Sequence, residues 1–122
     1  MSRSIDIGYR PENGGALVPI ELPAPYYLFG TQRLSMEFWS LPRLREIGLT
    51  RLTDLGVTDP VYFVGWEDMA ELEREIALLQ QHLRSIAFYP EPLAGWLSHL
   101  VYCHGLLSLV TPEGSAPELC IG

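Results

Sequence analysis

Lysine is absent from this chain of 122 residues, and all eight basic side chains are arginine. Without a lysine amine no side chain can form a Schiff base, hold pyridoxal phosphate or serve as the cation of a phosphate-binding P-loop. Cysteine is scarce as well: Cys103 and Cys120 are the only two, too few for a disulfide scaffold, and a core of this size does not need one. From Met1 to Gly8 there is no apolar run long enough for the core of a signal peptide, and an acid arrives at Asp6. The two absences together lead us to expect a reduced, cytoplasmic setting. No Gly-x-Ser-x-Gly elbow exposes a serine, and Gly14-Gly15 lacks the spaced glycines of a dinucleotide fingerprint, so the pair reads as a turn.

Positive charge is also in short supply. Fifteen acids against eight bases leave a formal charge of −7 and a sequence pI near 4.8, the reverse of the basic footprint that phosphate backbones require. No nucleic acid is expected as a direct partner. With 48% hydrophobic and 19% charged residues, the composition suits a globular fold with one core. No repeat, low-complexity tract or linker divides it, so residues 1–122 read as a single domain. From Pro92 to Pro112 there is no Asp, Glu, Arg or Lys, and the stretch is long enough to cross a bilayer. Ser98, His99, His104 and Ser108 within it would be costly in hydrocarbon, so a buried helix and a buried strand are expected there, and no membrane partner.

Residues 4 to 10 alternate Ile5, Ile7 and Tyr9 with Ser4, Asp6 and Arg10, which predicts a half-buried strand. After the turn chemistry of Pro11 to Gly15, a second strand over about 16–22 pairs back as a hairpin, with Pro19 placing it at an edge or bulge. The apolar run from Tyr26 to Phe29 is too short to classify by periodicity. Over 33–39, Leu34, Met36 and Phe38 alternate with Ser35 and Glu37, favouring a third strand. Ser40 is placed to cap a short helix through Ile47, with Pro42 in its first turn and Gly48 as its stop. Thr50 to Leu55 reads as another helical turn closed by Gly56. The continuous run Val61-Tyr62-Phe63-Val64 predicts a central, buried strand.

The clearest element is a long amphipathic helix over about 68–86. Asp68 is placed as N-cap with Glu71 three residues on, and Met69, Leu72, Ile76, Leu79, Leu83 and Ile86 recur on one face. Pro90 and Pro92 open a second, buried helix over about 92–104, stopped at Gly105. Leu106–Val110 and Glu118–Ile121, flanking a Pro/Gly-rich turn, predict a final β-hairpin. The resulting class is α+β: an antiparallel or mixed sheet carrying its helices mainly on one face.

Chemistry-bearing residues gather in two places. Glu67, Asp68, Glu71, Glu73 and Glu75 crowd the start of the long helix, where the dipole favours acids. Glu67, Glu71 and Glu75 also form an i, i+4 row that repels by about 0.2–0.5 kcal/mol per pair. With Trp66 as an apolar anchor, the group Trp66, Glu67, Asp68, Glu71 and Glu75 reads as a docking face for a basic protein. The second group is His99, Cys103 and His104, where His99 and Cys103 share a helix face and a metal or a Cys/His pair would find ligands. Cys120 would join only if the last strands fold back toward that helix. The expected function is that of a small acidic, non-enzymatic cytoplasmic domain that binds a basic protein, of the inhibitor, immunity-protein or regulatory-subunit kind, with no cofactor. The alternatives are a small metal- or thiol-dependent hydrolase on His99, Cys103 and His104, and a domain whose aromatic segments, among them Phe88 and Tyr89, line a pocket for a small apolar ligand. The apolar residues from Trp96 to Val101 are compatible with a homodimer.

Overall fold

The computed structural model describes residues 2–86 and 90–122. In chain order the elements are β1 (Ser2–Arg10), β2 (Val18–Ile20), β3 (Leu28–Thr31), α1 (Gln32–Trp39), α2 (Pro42–Glu46), a 3-10 helix (Leu52–Gly56), β4 (Val61–Val64), α3 (Gly65–His82), α4 (Pro90–Val110) and β5 (Ala116–Ile121). Every strand pairing is antiparallel. The sheet runs β2-β1-β5-β4, with β3 also paired to β1, so the class is α+β. β1 is the axis: Ile7 faces Ile20 of β2 on one side and Leu119 of β5 on the other.

The alternation of β1 sorts its side chains as the sequence predicts. Ile5 and Ile7 are buried while Asp6 between them is exposed. Ile5, Ile7, Val61, Phe63, Leu119 and Ile121 form the sheet's share of one core, which they make with Phe38, Met69, Leu72, Leu79, Trp96, Leu100 and Leu107 from the helices. The helices lie on that face alone. β2 pairs with β1 as the expected hairpin, with Pro19 on the edge strand.

Five elements differ from expectation. Residues 33–39 form helix α1, not a strand. Thr31 caps it by accepting the Leu34 N–H on Oγ1 at 3.2 Å, and Ser35, Phe38 and Trp39 occupy one buried face. Leu34 and Phe38 are spaced for a strand and equally for a helix, and the cap together with Trp39 decides between them. Leu41, not Ser40, stands at the N-cap of α2, and Ser40 closes α1.

β4 is an edge strand and not a central one. Val61 and Phe63 point into the core, whereas Tyr62 and Val64 are about half exposed. A wholly apolar run has no polar alternation to reveal that one of its faces meets water. α3 begins at Gly65, ahead of the expected Asp68 cap. Its predicted stripe holds through Met69, Leu72, Ile76 and Leu79, all buried, but the helix ends at His82, short of the expected 86: Leu83 is its half-buried C-cap and Ile86 is buried beyond its end.

Finally, Leu106–Val110 extends α4 instead of forming the first arm of a hairpin, and β5 pairs with β1 and β4. Gly105 does not stop the helix because the buried series Leu100, Cys103 and Leu107 continues through it at helical spacing. Over Pro92–Val110 α4 is long and apolar enough to cross a membrane by length and composition. Leu93, Trp96, Leu97, Leu100, Cys103 and Leu107 of that stretch are core residues. Phe88 and Tyr89 lie outside the described residues.

Candidate interaction surface

The acidic start of α3 is divided between internal work and the surface. Glu75 is fully buried. Its Oε2 accepts the Arg51 N–H at 2.9 Å and the Thr50 N–H at 3.2 Å, and its Oε1 accepts the Leu52 N–H at 2.8 Å. These donors open the 3-10 helix, which has no capping side chain of its own, so Glu75 caps it from across the core. Burial pushes the Glu75 carboxyl pKa up, the N–H groups pull it down, and neighbouring Glu71 raises it again. Glu71 is held by Arg74, with Thr50 Oγ1 at 3.3 Å. The Arg74 hydrogen bonds lower its pKa to about 2, against the effect of burial. The expected repulsion along the glutamate row is relieved by Arg74 and by the backbone N–H groups on Glu75.

Asp68 is also committed. Its Oδ2 accepts the Val64 N–H at 2.8 Å and its Oδ1 accepts from Arg51 Nη1 at 2.9 Å. The Val64 bond is the leading cause of a lowered carboxyl pKa, opposed by burial and aided by Arg51. Arg51 Nη2 donates to the Tyr62 carbonyl at 2.7 Å, and its guanidinium carbon sits 4.8 Å from the centre of the Phe63 ring. The Arg51–Asp68 pair therefore covers main-chain groups along β4 that another strand would otherwise find. Of the five residues expected to meet a partner, Trp66 at 49% exposure and Glu67 remain open.

Those two follow β4 in the chain, in the first turn of α3, and β4 borders the face of the sheet that bears no helix. Tyr62, Cys120 and Asp6 stand in one cross-strand row, and Val64, Glu118, Gly8 and Pro19 in the next. Tyr62 is 53% and Val64 48% exposed. Gly8 is required where it stands, because a Cβ there would meet the Val18 carbonyl oxygen at 2.6 Å; Leu17 packs over the position instead. The result is an open groove of about 150 Å³, lined by Asp6, Gly8, Leu17, Pro19, Tyr62 and Cys120 among others. Burial, then the charges of Asp6, Asp59 and Glu118, raise the Cys120 thiol pKa, so the groove is negative as well as apolar. Arg10 pairs with Glu118, whereas Asp6 has no ion pair among the described residues.

His99, Cys103 and His104 are not brought together as ligands. His99 Nδ1 lies 2.6 Å from the Leu28 carbonyl, Cys103 Sγ 3.5 Å from that of Tyr26, and His104 Nε2 3.0 Å from that of Met69. Each histidine thus has one ring nitrogen engaged with a main-chain carbonyl of a different element. Among the described residues no three His, Cys, Asp or Glu side chains are grouped to hold one. Burial raises the Cys103 pKa to about 12, which leaves essentially no thiolate for nucleophilic chemistry at neutral pH. The aromatic segments pack on one another: Phe29, Phe38, Trp39 and Trp96 make a ring cluster in the core. Tyr26 stacks on Tyr102 with centroids 3.8 Å apart.

The chain thus presents a two-layer α+β domain with one bare, acidic sheet face. No family model, no curated protein and no solved structure matches it. Asp6, Leu17 and Glu118 are not singled out by the sequence as surface residues, whereas the adjacent pair Tyr62-Phe63, on opposite faces of a strand, already places one aromatic outside the core, and it is Tyr62. The alternation of Asp6 between two isoleucines was the available signal, and it becomes specific only once β4 is known to be an edge.

Proposed function

We propose that the protein is a small, cytoplasmic, non-enzymatic binding domain that docks a basic polypeptide on the bare face of its sheet, as an inhibitor, immunity protein or regulatory subunit would. The observation that carries this reading is one continuous stretch of chain from β4 into the start of α3. Tyr62, Val64 and Trp66 expose three large apolar side chains, and Asp6 in the Tyr62 cross-strand row and Glu67 next to Trp66 have no ion pair among the described residues. Aromatic anchors supply the burial energy of an interface, and surrounding charges select the partner and speed encounter. A partner that fits carries arginine or lysine around an apolar side chain able to enter the groove over Gly8.

The test is affinity capture from the native extract with the wild-type chain, Tyr62→Ala/Trp66→Ala, Asp6→Arg/Glu67→Arg, and Asp54→Arg as a remote control. The captured protein is then purified and titrated. A basic protein whose affinity falls at least about tenfold with either double variant, and not with Asp54→Arg, is the expected result. Binding that is indifferent to both double variants, or a partner that is acidic, would overturn the proposal.

A further inference from the structure

On the opposite side of the molecule, α4 exposes a face that the core does not use. Over Pro92–Val110 it carries no charged residue, and a helix apolar on all sides is ordinarily covered on all sides. Here Val101 is 45% exposed, and Ala94, Ser98 and Gly105 on the same side are exposed too. Two adjoining grooves run between α3 and α4 past Gln80 and Val101, of about 400 Å³ toward Glu73 and about 330 Å³ toward Leu83. The small side chains allow another helix to approach closely.

The charges beside these grooves say what fits them. Glu73 stands at one end, its side chain 74% exposed and 3.8 Å from His104. Arg84 follows Leu83 at the other end, exposed and with no ion pair among the described residues. The stretch between them on α3 presents Ala77 and Gln80, which are uncharged. At 1.5 Å per residue their backbone positions are about 16 Å apart along α3, Arg84 standing two residues past the last helical residue, His82. A two-fold axis through the middle of the groove exchanges its ends, so Glu73 of one molecule meets Arg84 of the next, twice, while Val101 enters the facing groove.

We propose that the α3–α4 face is a self-complementary surface on which a second copy of this chain docks to form a two-fold dimer. It is independent of the sheet face, which lies across the core from it.

The experiment is sedimentation equilibrium on the full chain up to about 100 μM, a range that captures modest dimer affinities. Circular dichroism verifies that each variant is folded. A dimer is expected, with Val101→Glu weakening association by more than about tenfold. Glu73→Arg and Arg84→Glu should each weaken it, and the combined swap should restore it, which neither a folding defect nor a loss of apolar area would do. The proposal is overturned by a wild-type chain that is monomeric throughout, or by a dimer indifferent to Val101→Glu and to the charge swap. Partition of a monomer onto phosphatidylcholine vesicles would assign the face to lipid and overturn it equally.

Discussion

Single residues in this domain divide into those that hold it together and those left free to meet something else, and Glu75 stands at one extreme. A carboxylate with no exposure that accepts three main-chain N–H bonds belongs to the folding of the 3-10 helix and not to any surface. Glu75→Ala orphans those donors and should cost about 3–5 kcal/mol, lowering Tm by on the order of 10–15 °C in a thermal melt. Glu75→Gln, which keeps one acceptor oxygen, should cost about half as much. Glu71 makes a prediction in pH. Its carboxyl titrates at about 2 when folded and at about 4.3 in an unfolded chain. A lowered carboxyl pKa contributes stability that is complete above the unfolded value and is lost as pH falls through the folded one. Glu75, with its raised pKa, acts in the opposite sense. The wild-type melting temperature should therefore fall between about pH 5 and pH 2, and Glu71→Gln should flatten that limb. An unchanged slope would show that Arg74 gives Glu71 no net stabilisation.

Arg3 is the most exacting residue of the interior. It is fully buried on the inward side of β1, and Nη1 donates to Ser35 Oγ at 3.1 Å. Nε and Nη2 have no hydrogen-bond partner among the described residues, and burial lowers the guanidinium pKa despite the opposing charge of Asp59. A buried cation so thinly satisfied costs more than it returns. Arg3→Met, which keeps the length and drops the charge, should leave the chemical-denaturation midpoint unchanged or raise it. Arg3→Ala, which leaves a void, should lower it by roughly 2–5 kcal/mol in stability.

At the scale of elements, β4 shows how an exposed strand is kept from pairing with the wrong chain. Arg51 covers the Tyr62 carbonyl and Asp68 covers the Val64 N–H, so the interface proposed for this strand uses its outer side chains and not its edge. Arg51→Ala frees the Tyr62 carbonyl, takes from Asp68 the cation that pairs with it, and leaves the apolar pair Tyr62 and Val64 in place. Aggregation monitored by light scattering should appear at temperatures where the wild type stays clear. The same strand marks the limit of what the sequence carries. The period of α3 and the alternation of β1 were legible because each shows the solvent side in its polar residues. β4 shows none, α1 satisfies both periods, and Leu106–Val110 is too short to tell a strand from a helix. In each of these cases tertiary contact made the choice: Trp39 and Phe38 entering the core, Leu107 extending the α4 stripe, β5 taking the centre. The candidate site was legible at Trp66 and Glu67. The burial of Glu75 was not, because what it caps lies more than twenty residues away in the chain.

Taken as a whole, the molecule spends most of its few cations on itself. Arg10, Arg33, Arg43, Arg51 and Arg74 each pair with a carboxylate of the same chain, and Arg3 is buried. Asp6, Glu12, Glu21, Asp54, Asp59, Glu67 and Glu113 have no ion pair among the described residues, and they set the outward field. A field of one sign acts on encounter at long range and is screened within about 8 Å at physiological salt, whereas contacts of Tyr62 and Trp66 act only on arrival. The two contributions separate in kinetics. For the captured partner, raising ionic strength should slow association while leaving dissociation nearly constant, and Asp6→Arg/Glu67→Arg should reduce that salt dependence. Tyr62→Ala/Trp66→Ala should do the converse, speeding dissociation with the salt dependence intact. If the α3–α4 face joins two copies, both sheet faces point outward and the complex has two partners per dimer. Val101→Glu then halves the mass of the assembly without changing the affinity of each partner, a result that light scattering and surface binding measured on the same samples would distinguish from a fold that has failed.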